Sequence, residues 1–386
     1  MTASADGHEE RRLEMTSQVA GDGRHPDAPC SPPGRRRGLV LGAGGSLGAA
    51  WTIGALCALE DAYGWDPRTA DVILGTSAGA IVGSMLALGA RPRDLHDHQR
   101  GEAVLSGPFD QVRVDYDTWV GGALPHLPKP GIGSVKLLGS LARHPHRMPF
   151  TTLLAACAPP GRGSLSGVHD LFRQLGMADR WPANPALRVV AVDLDTGTRV
   201  LFGVPDAPHT GLASAVAASC ALPAWFEPVP IDGRRYVDGC AWSDTNLDLL
   251  AGEELDEVFV LAPTSARRMD RPRSIPARVE RRLRAIATRR LLHEARLVRE
   301  AGTRVRLIVP GPKDLAAMGA NLMDTQQRLT VLDTSLQTTA ASLHSPRPQQ
   351  SGTPAEPGTP GPTRGLTERN STQPATAEDQ STIRRL

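Results

Sequence analysis

The run Asp71-Val72-Ile73-Leu74 passes directly into Gly75-Thr76-Ser77-Ala78-Gly79, and this junction restricts the chain more than any other stretch. The apolar triplet reads as a buried strand, and the small residues 80–87 read as a helix reaching about Leu88. A strand that turns so sharply into a helix strains the residue at the bend. Glycines two positions to either side let the two backbones come close. The bend lifts the Ser77 hydroxyl above the sheet edge. It also sets that hydroxyl at a helix N-terminus, where unpaired N–H groups favour developing negative charge. This is the pattern of a nucleophile elbow. The pentapeptide alone is a weak signal in a chain with 39 glycines among 386 residues; the strand before it and the helix after it give it weight.

A second unit of the same kind precedes it. Leu39-Val40-Leu41 runs into Gly42-Ala43-Gly44-Gly45-Ser46-Leu47-Gly48, and Ala49 to Asp61 reads as a helix. Two strand–glycine-turn–helix units in succession predict a parallel α/β sheet, with its loops at the carboxyl edge where such sheets place their sites. Residues 187–194 form a further strand, with 198–202 as a hairpin partner across Asp195-Thr196-Gly197. Residues 212–220 read as a small-residue helix stopped at Leu222-Pro223. Residues 231–237 read as a hairpin turning at Asp232-Gly233 and ending on Asp238-Gly239. Residues 258–261 and 305–309 carry the sheet beyond position 250. Residues 99–165, rich in Gly, Pro and His, predict loops and short helices, a candidate lid or substrate channel.

Composition narrows the class. A net charge of +2 argues against a general nucleic-acid binder. The five cysteines, Cys30, Cys57, Cys157, Cys220 and Cys240, form no CxxC pair and no metal-ligand spacing, which predicts a reducing, cytoplasmic setting. No apolar run reaches membrane-spanning length, and residues 1–37 hold no apolar core of a signal peptide. Residues 1–36 and 341–386 are polar or low in complexity, the latter from about Ser345, and predict disordered tails. Arg35-Arg36-Arg37 ends the first tail and reads as a solvated run, with contact to anionic lipid as the alternative. Arginine-rich residues 276–302 predict an amphipathic helix whose stripe Val279, Leu283, Ile286, Leu291 and Val298 faces the core with its arginines in water. The alternative is a basic helix lying on an anionic membrane surface.

The glycine loop 42–48 permits three readings. A dinucleotide site wants G-x-G-x-x-G, but Leu47 takes the third glycine's place, and the second strand ends in Gly75 and a serine rather than a ribose-binding acid. A plain structural turn is the second. The third is an oxyanion hole, since consecutive glycines at such a turn can aim two backbone N–H groups at one oxygen. Asp238, beside Gly239, is the candidate base for Ser77; a simple turn Asp-Gly is the alternative. His293, the one histidine between Asp238 and the tail region, lies within a helical pattern and reads as solvent-facing rather than as the third member of a Ser–Asp–His triad. His96 and His98 lack a third ligand and read as a polar helix end.

Taken together, Gly42-Ala43-Gly44-Gly45-Ser46-Leu47-Gly48, Gly75-Thr76-Ser77-Ala78-Gly79, Ala218-Ser219-Cys220-Ala221-Leu222-Pro223 and Asp238-Gly239-Cys240 resemble the patatin-like phospholipase family across roughly residues 38–250. The resemblance implies a three-layer α/β/α fold with a mainly parallel central sheet, a catalytic domain over 37–250 and an α/β extension over 251–340 that completes it. It implies a serine esterase of phospholipase A type that cleaves lipid esters through an acyl-enzyme, with Ser77 as nucleophile and Asp238 as general base. Gly44 and Gly45 would form the oxyanion hole, and Gly42, Gly48, Gly75, Gly79 and Gly239 would support the motifs. No metal or organic cofactor is implied. The partner is a lipid or fatty-acyl ester, with peripheral membrane contact and no nucleic acid. Three positions depart from the family pattern: Ala43 replaces glycine, Leu47 replaces arginine, and Cys240 replaces Gly or Ala. Loss of the cation at 47 favours a neutral ester or lysolipid. The alternatives in other classes are a catalytically silent binding protein on the same fold and a nucleotide-binding oxidoreductase.

Overall fold

The computed structural model describes residues 34–104, 107, 109–116, 131–138, 149–183 and 186–344. Most of both predicted tails and much of the 99–165 stretch lie outside the described residues. The strands are β1 (Arg37–Leu41), β2 (Val72–Thr76), β3 (Ala186–Asp193), β4 (Arg199–Phe202), β5 (Val229–Ile231), β6 (Arg234–Asp238), β7 (Glu257–Leu261) and β8 (Arg304–Ile308). The helices are α1 (Gly45–Tyr63), α2 (Ala78–Ala87), α3 (Pro92–Gln99), α4 (Phe150–Cys157), α5 (Ser166–Gln174), α6 (Leu212–Cys220), α7 (Ile275–Glu300), α8 (Pro312–Met318) and α9 (Arg328–His344).

Among the described residues, eight strands join one sheet in the order β5-β6-β3-β2-β1-β7-β8, with β4 also on β3. The run β3-β2-β1-β7-β8 is parallel throughout. The inner strands are continuously apolar because helices cover both faces. Successive side chains alternate between the faces. Leu39, Leu41 and Ile73 enter the layer that contains α1, α2 and α6. Val40, Val72 and Leu74 enter the layer that holds Leu291, Ala295 and Val298 of α7. The result is the expected three-layer α/β/α sandwich around a mainly parallel sheet.

The edge of β3 positions the site. Residues 186–190 of β3 pair with β2, and residues 191–193 pair with β6. β4 pairs with 189–192 and overlaps both sets, so it occupies the opposite edge. β2 and β6 therefore share one edge of β3 end to end. Thr76 aligns with Val190 and Asp238 with Ala191. The β5–β6 hairpin turns through Asp232 and Gly233, both at positive φ (48° and 70°), as its dipeptide predicts.

Three expectations need correction. First, α1 begins at Gly45 rather than Ala49. The Gly48 N–H donates to the Gly44 carbonyl at 2.8 Å and the Leu47 N–H to Leu322 O at 2.9 Å, so the later glycines already lie in the first helical turn. Second, α9 runs to His344, so residues 341–344 are helical rather than tail.

The third concerns α7. Leu291 and Val298 are buried, but Val279, Leu283 and Ile286 are 51%, 59% and 52% exposed, while Arg281 and Arg284 are 7% and 2% exposed. The inward face is Ala277, Arg281, Arg284, Leu291, Glu294, Ala295 and Val298. Its two arginines are tolerated because they are bonded: Arg281 donates to Asp270 Oδ1 (2.5 Å) and Leu315 O (2.8 Å), and Arg284 to Glu280 Oε1 (2.9 Å) and Ser265 O (3.3 Å). At the start of the sheet, the Arg36 and Arg37 backbone N–H groups donate to Asp256 and Asp71 carboxylates, both at 2.7 Å, so this pair anchors β1. No described helix is long and apolar enough to cross a membrane.

Candidate active site

Ser77 occupies the single residue between β2 and α2, at φ 56° and ψ −123°. A non-glycine residue there carries backbone strain of order 1–3 kcal/mol and persists only where its surroundings enforce it. The enforcement is visible. Helix α2 closes down immediately, with Ala80 N–H donating to Ser77 O at 2.8 Å. A Cβ on Gly79 would stand 2.0 Å from Leu41 O, so only glycine lets α2 lie across the end of β1. Gly75 is crowded in the same way by the Ala80 backbone. The Ser77 N–H donates to Ser219 Oγ at 2.9 Å, and Ser219 Oγ donates onward to Val190 O at 2.6 Å. Ser219, fully buried and 142 residues downstream, thus ties the elbow to β3.

Asp238 ends β6 and is 1% exposed. Its N–H donates to Ala221 O at 3.0 Å, and its Oδ1 accepts from Cys240 N–H at 2.8 Å. Burial pushes its carboxyl up to about 6; the bonds from the Cys240 N–H and the Ser77 hydroxyl pull the other way but do not offset it. Gly239 must be small because a Cβ would stand 2.6 Å from Val190 O and 3.0 Å from Thr76 Cγ2. A buried amide locks this junction: Asn246 Nδ2 donates to Ser243 O (2.6 Å), Thr76 Oγ1 (3.2 Å) and Gly239 O (3.5 Å). Glu294 of α7 holds the following loop, accepting from Thr245 Oγ1 at 2.8 Å and Leu247 N at 3.1 Å.

Ser77 and Asp238 line one cavity of about 370 Å³, and Gly44, Gly45 and Ser46 line it too. Gly44 and Gly45 stand at the N-terminus of α1, and Gly45 has φ 58°, in the left-handed region. Their neighbours' amides are spent inside the fold: Gly42 on Leu261 O, Ala43 on Asp244 O, Leu47 on Leu322 O and Gly48 on Gly44 O. Gly42 and Gly48 therefore frame the turn, while Gly44 and Gly45 face the cavity. The rest of the wall is largely apolar, with Ile81, Leu165, Leu222, Phe226, Leu283 and Met323 among its residues.

The cavity also holds a second carboxyl and a cation. Burial raises Asp244 to about 6, with the nearby Thr264 hydroxyl opposing and Glu294 acting in the same direction as burial. Arg284 reaches the wall from α7 and donates to the Pro263 carbonyl; the Pro263 ring packs where a Gly44 Cβ would stand, 2.8 Å away. Burial lowers its pKa, and Glu280 pairs with it. Leu47 points into the core at 0% exposure and is not part of the wall of the Ser77 cavity. Burial also pushes the cavity thiols Cys220 and Cys240 well up, with the Asp238 charge adding to the effect.

The histidines lie elsewhere. His293 is exposed on α7, with Nδ1 3.4 Å from Arg296. His96 binds Asp97 through Nδ1 at 2.9 Å, and His98 Nε2 is 3.0 Å from Val112 O with Nδ1 2.5 Å from the Tyr116 hydroxyl. Among the described residues, no three His, Cys, Asp or Glu side chains are grouped to hold a metal ion.

Residues 39–251 match the family described as "Patatin-like phospholipase", and the chain belongs to that family. Several solved structures are similar, two of them as follows. VipD from Legionella pneumophila is 15% identical, with 78% of this chain and 67% of that one covered, at a TM-score of 0.35. ExoU of Pseudomonas aeruginosa, in complex with SpcU, is 19% identical, with 78% and 53% covered, at a TM-score of 0.29. This chain spans about half of ExoU. Scores this low leave the family assignment resting on the sequence match.

Proposed function

We propose that the chain is a serine-dependent acyl hydrolase of lipid esters working through a Ser77–Asp238 pair. The observation that supports this best is the end-to-end seating of β2 and β6 on one edge of β3, which sets a strained serine beside a buried carboxyl in one apolar cavity. Asp238, raised to about 6, is ionised at neutral pH yet basic enough to take the Ser77 proton as Oγ attacks the acyl carbon. The carbonyl oxygen becomes anionic against the Gly44 and Gly45 amides, a contact worth about 3–4 kcal/mol per donor in such sites. Collapse expels the alcohol, which takes the proton back from Asp238, and leaves an acyl ester on Ser77. Asp238 then activates water, and the acid is released.

The substrate is a lipid or fatty-acyl ester met at a membrane surface. The cation absent from position 47 is not replaced by an uncompensated one, because Arg284 is paired with Glu280 and Asp244 adds negative charge. This supports a neutral ester or lysolipid over a substrate gripped by its phosphate. The free thiols Cys57, Cys157, Cys220 and Cys240 suit a reducing, cytoplasmic setting. The test uses a short-chain p-nitrophenyl ester. Ser77→Ala and Asp238→Asn each reduce kcat/KM by at least about 10³-fold, while His293→Ala leaves it within about twofold. Equal background rates in wild type and Ser77→Ala would instead support a silent binding protein.

A further inference from the structure

The outward face of α7 is exposed, yet it is apolar where helices are usually wet. Ile275, Val279, Leu283 and Ile286 are 74%, 51%, 59% and 52% exposed. At about 100° per residue they fall within an arc of roughly 80°, centred about 150° around the helix from the buried stripe. They form a ridge about 16 Å long. Arg278, Arg282 and Arg289, all exposed, form a row directly beside it. On the ridge's other flank, Glu280, Leu283, Arg284 and Ala287 line the Ser77 cavity. Around the helix the order is therefore cavity wall, apolar ridge, arginine row, with Leu283 shared between the first two. The loop leading into α7 adds Arg267, Arg268, Arg271 and Arg273, exposed as well.

The geometry points to this face as the seat of an anionic lipid surface. The inference rests on the hydrolase reading for its purpose, and the observations that carry it are charge and continuity. A second copy docking on the same face would bring two arginine rows together, whereas an anionic bilayer complements them. An interfacial helix buries an apolar ridge and keeps its basic residues at headgroup level, which is the arrangement here. Seated so, Leu283 lies at the boundary between lipid and cavity. An ester is then drawn past it to Ser77 without crossing water.

The experiment is co-sedimentation of the full chain with phosphatidylcholine vesicles, with and without phosphatidylserine. It is run on a Ser77→Ala background so that vesicles stay intact. We expect binding to the phosphatidylserine vesicles that Val279→Asp/Ile286→Asp weakens at least about tenfold. We expect Arg278→Glu/Arg282→Glu to remove the preference for phosphatidylserine, at about fivefold or more per arginine. With Ser77 restored, both double variants keep wild-type turnover of a soluble p-nitrophenyl ester and an unchanged circular dichroism melt. Should the aspartates disturb folding, Val279→Ser/Ile286→Ser carries the same readout. The inference is overturned if the parent protein does not bind, if the ridge variants bind as it does, or if they only convert a dimer to a monomer. Vesicle binding that needs the ridge, in a protein that cleaves no ester, would sink the hydrolase reading and leave the docking face standing.

Discussion

At the residue scale, the proposed role of Asp238 as base sets when the site can work. Its carboxyl is raised because burial disfavours the charged form, and only the ionised form can accept a proton from Ser77. Activity is therefore absent at low pH and rises as pH passes through the raised value. The expected kcat/KM profile on a soluble ester climbs through an apparent pKa near 6 and is flat above about 7. Asp244 sits in the same cavity, and its negative charge adds to the upward shift of Asp238. Asp244→Asn should move the acid limb to lower pH while leaving the plateau within a few-fold. An unmoved limb would mean that the two carboxyls do not sense each other.

At the element scale, the contact between α1 and α9 is set by one glycine. A Cβ on Gly54 would stand 2.0 Å from Ser335 Oγ and 2.4 Å from Leu332 O. The serine can rotate away, but the carbonyl belongs to the helix backbone. Gly54→Ala must therefore push the two helices apart, at a cost of about 1–3 kcal/mol, lowering the thermal midpoint by roughly 3–10 °C. Because α1 begins at Gly45, the same movement reaches the cavity wall. Differential scanning calorimetry reads the first effect, and ester turnover the second.

At the scale of the whole molecule, β7 decides where a folding unit can end. The family match stops at residue 251, yet β1 pairs residue by residue with β7, from Arg37 with Glu257 to Leu41 with Leu261. A 34–251 fragment leaves β1 with an open edge and strips away α7 and α9, exposing Val40 and α1 to water. Such a fragment is expected to be insoluble, whereas 34–344 gives a single cooperative melt.

The strands and small-residue helices were legible in the sequence because each is punctuated by glycine, proline or a turn dipeptide. The elbow at Ser77 and the Asp232-Gly233 hairpin are clear examples. Helix α7 was legible as a helix but not in its orientation. Apolar and arginine residues both recur at helical spacing there. Nothing in the sequence shows that Arg281 and Arg284 find carboxylates and carbonyls to bury against. Ser219 and Asn246 went unrecognised as supports for a similar reason, since their partners lie far away in sequence. Only Ser219 left a trace, inside the Ala218–Pro223 stretch that carries the family resemblance.

The shared edge of β3 has one more consequence. Val190 faces the last residue of β2 and Ala191 faces Asp238. The proposed pair, Asp238 and the Ser77 that follows Thr76, is therefore seated from two adjacent residues of β3, whose Cα atoms lie about 3.8 Å apart. A seat made of backbone does not stretch when side chains around it change size. Substitutions in the two apolar layers can then erode the protein's lifetime well before they detune its chemistry, leaving sequence drift in the core free to run while the reacting pair keeps its spacing.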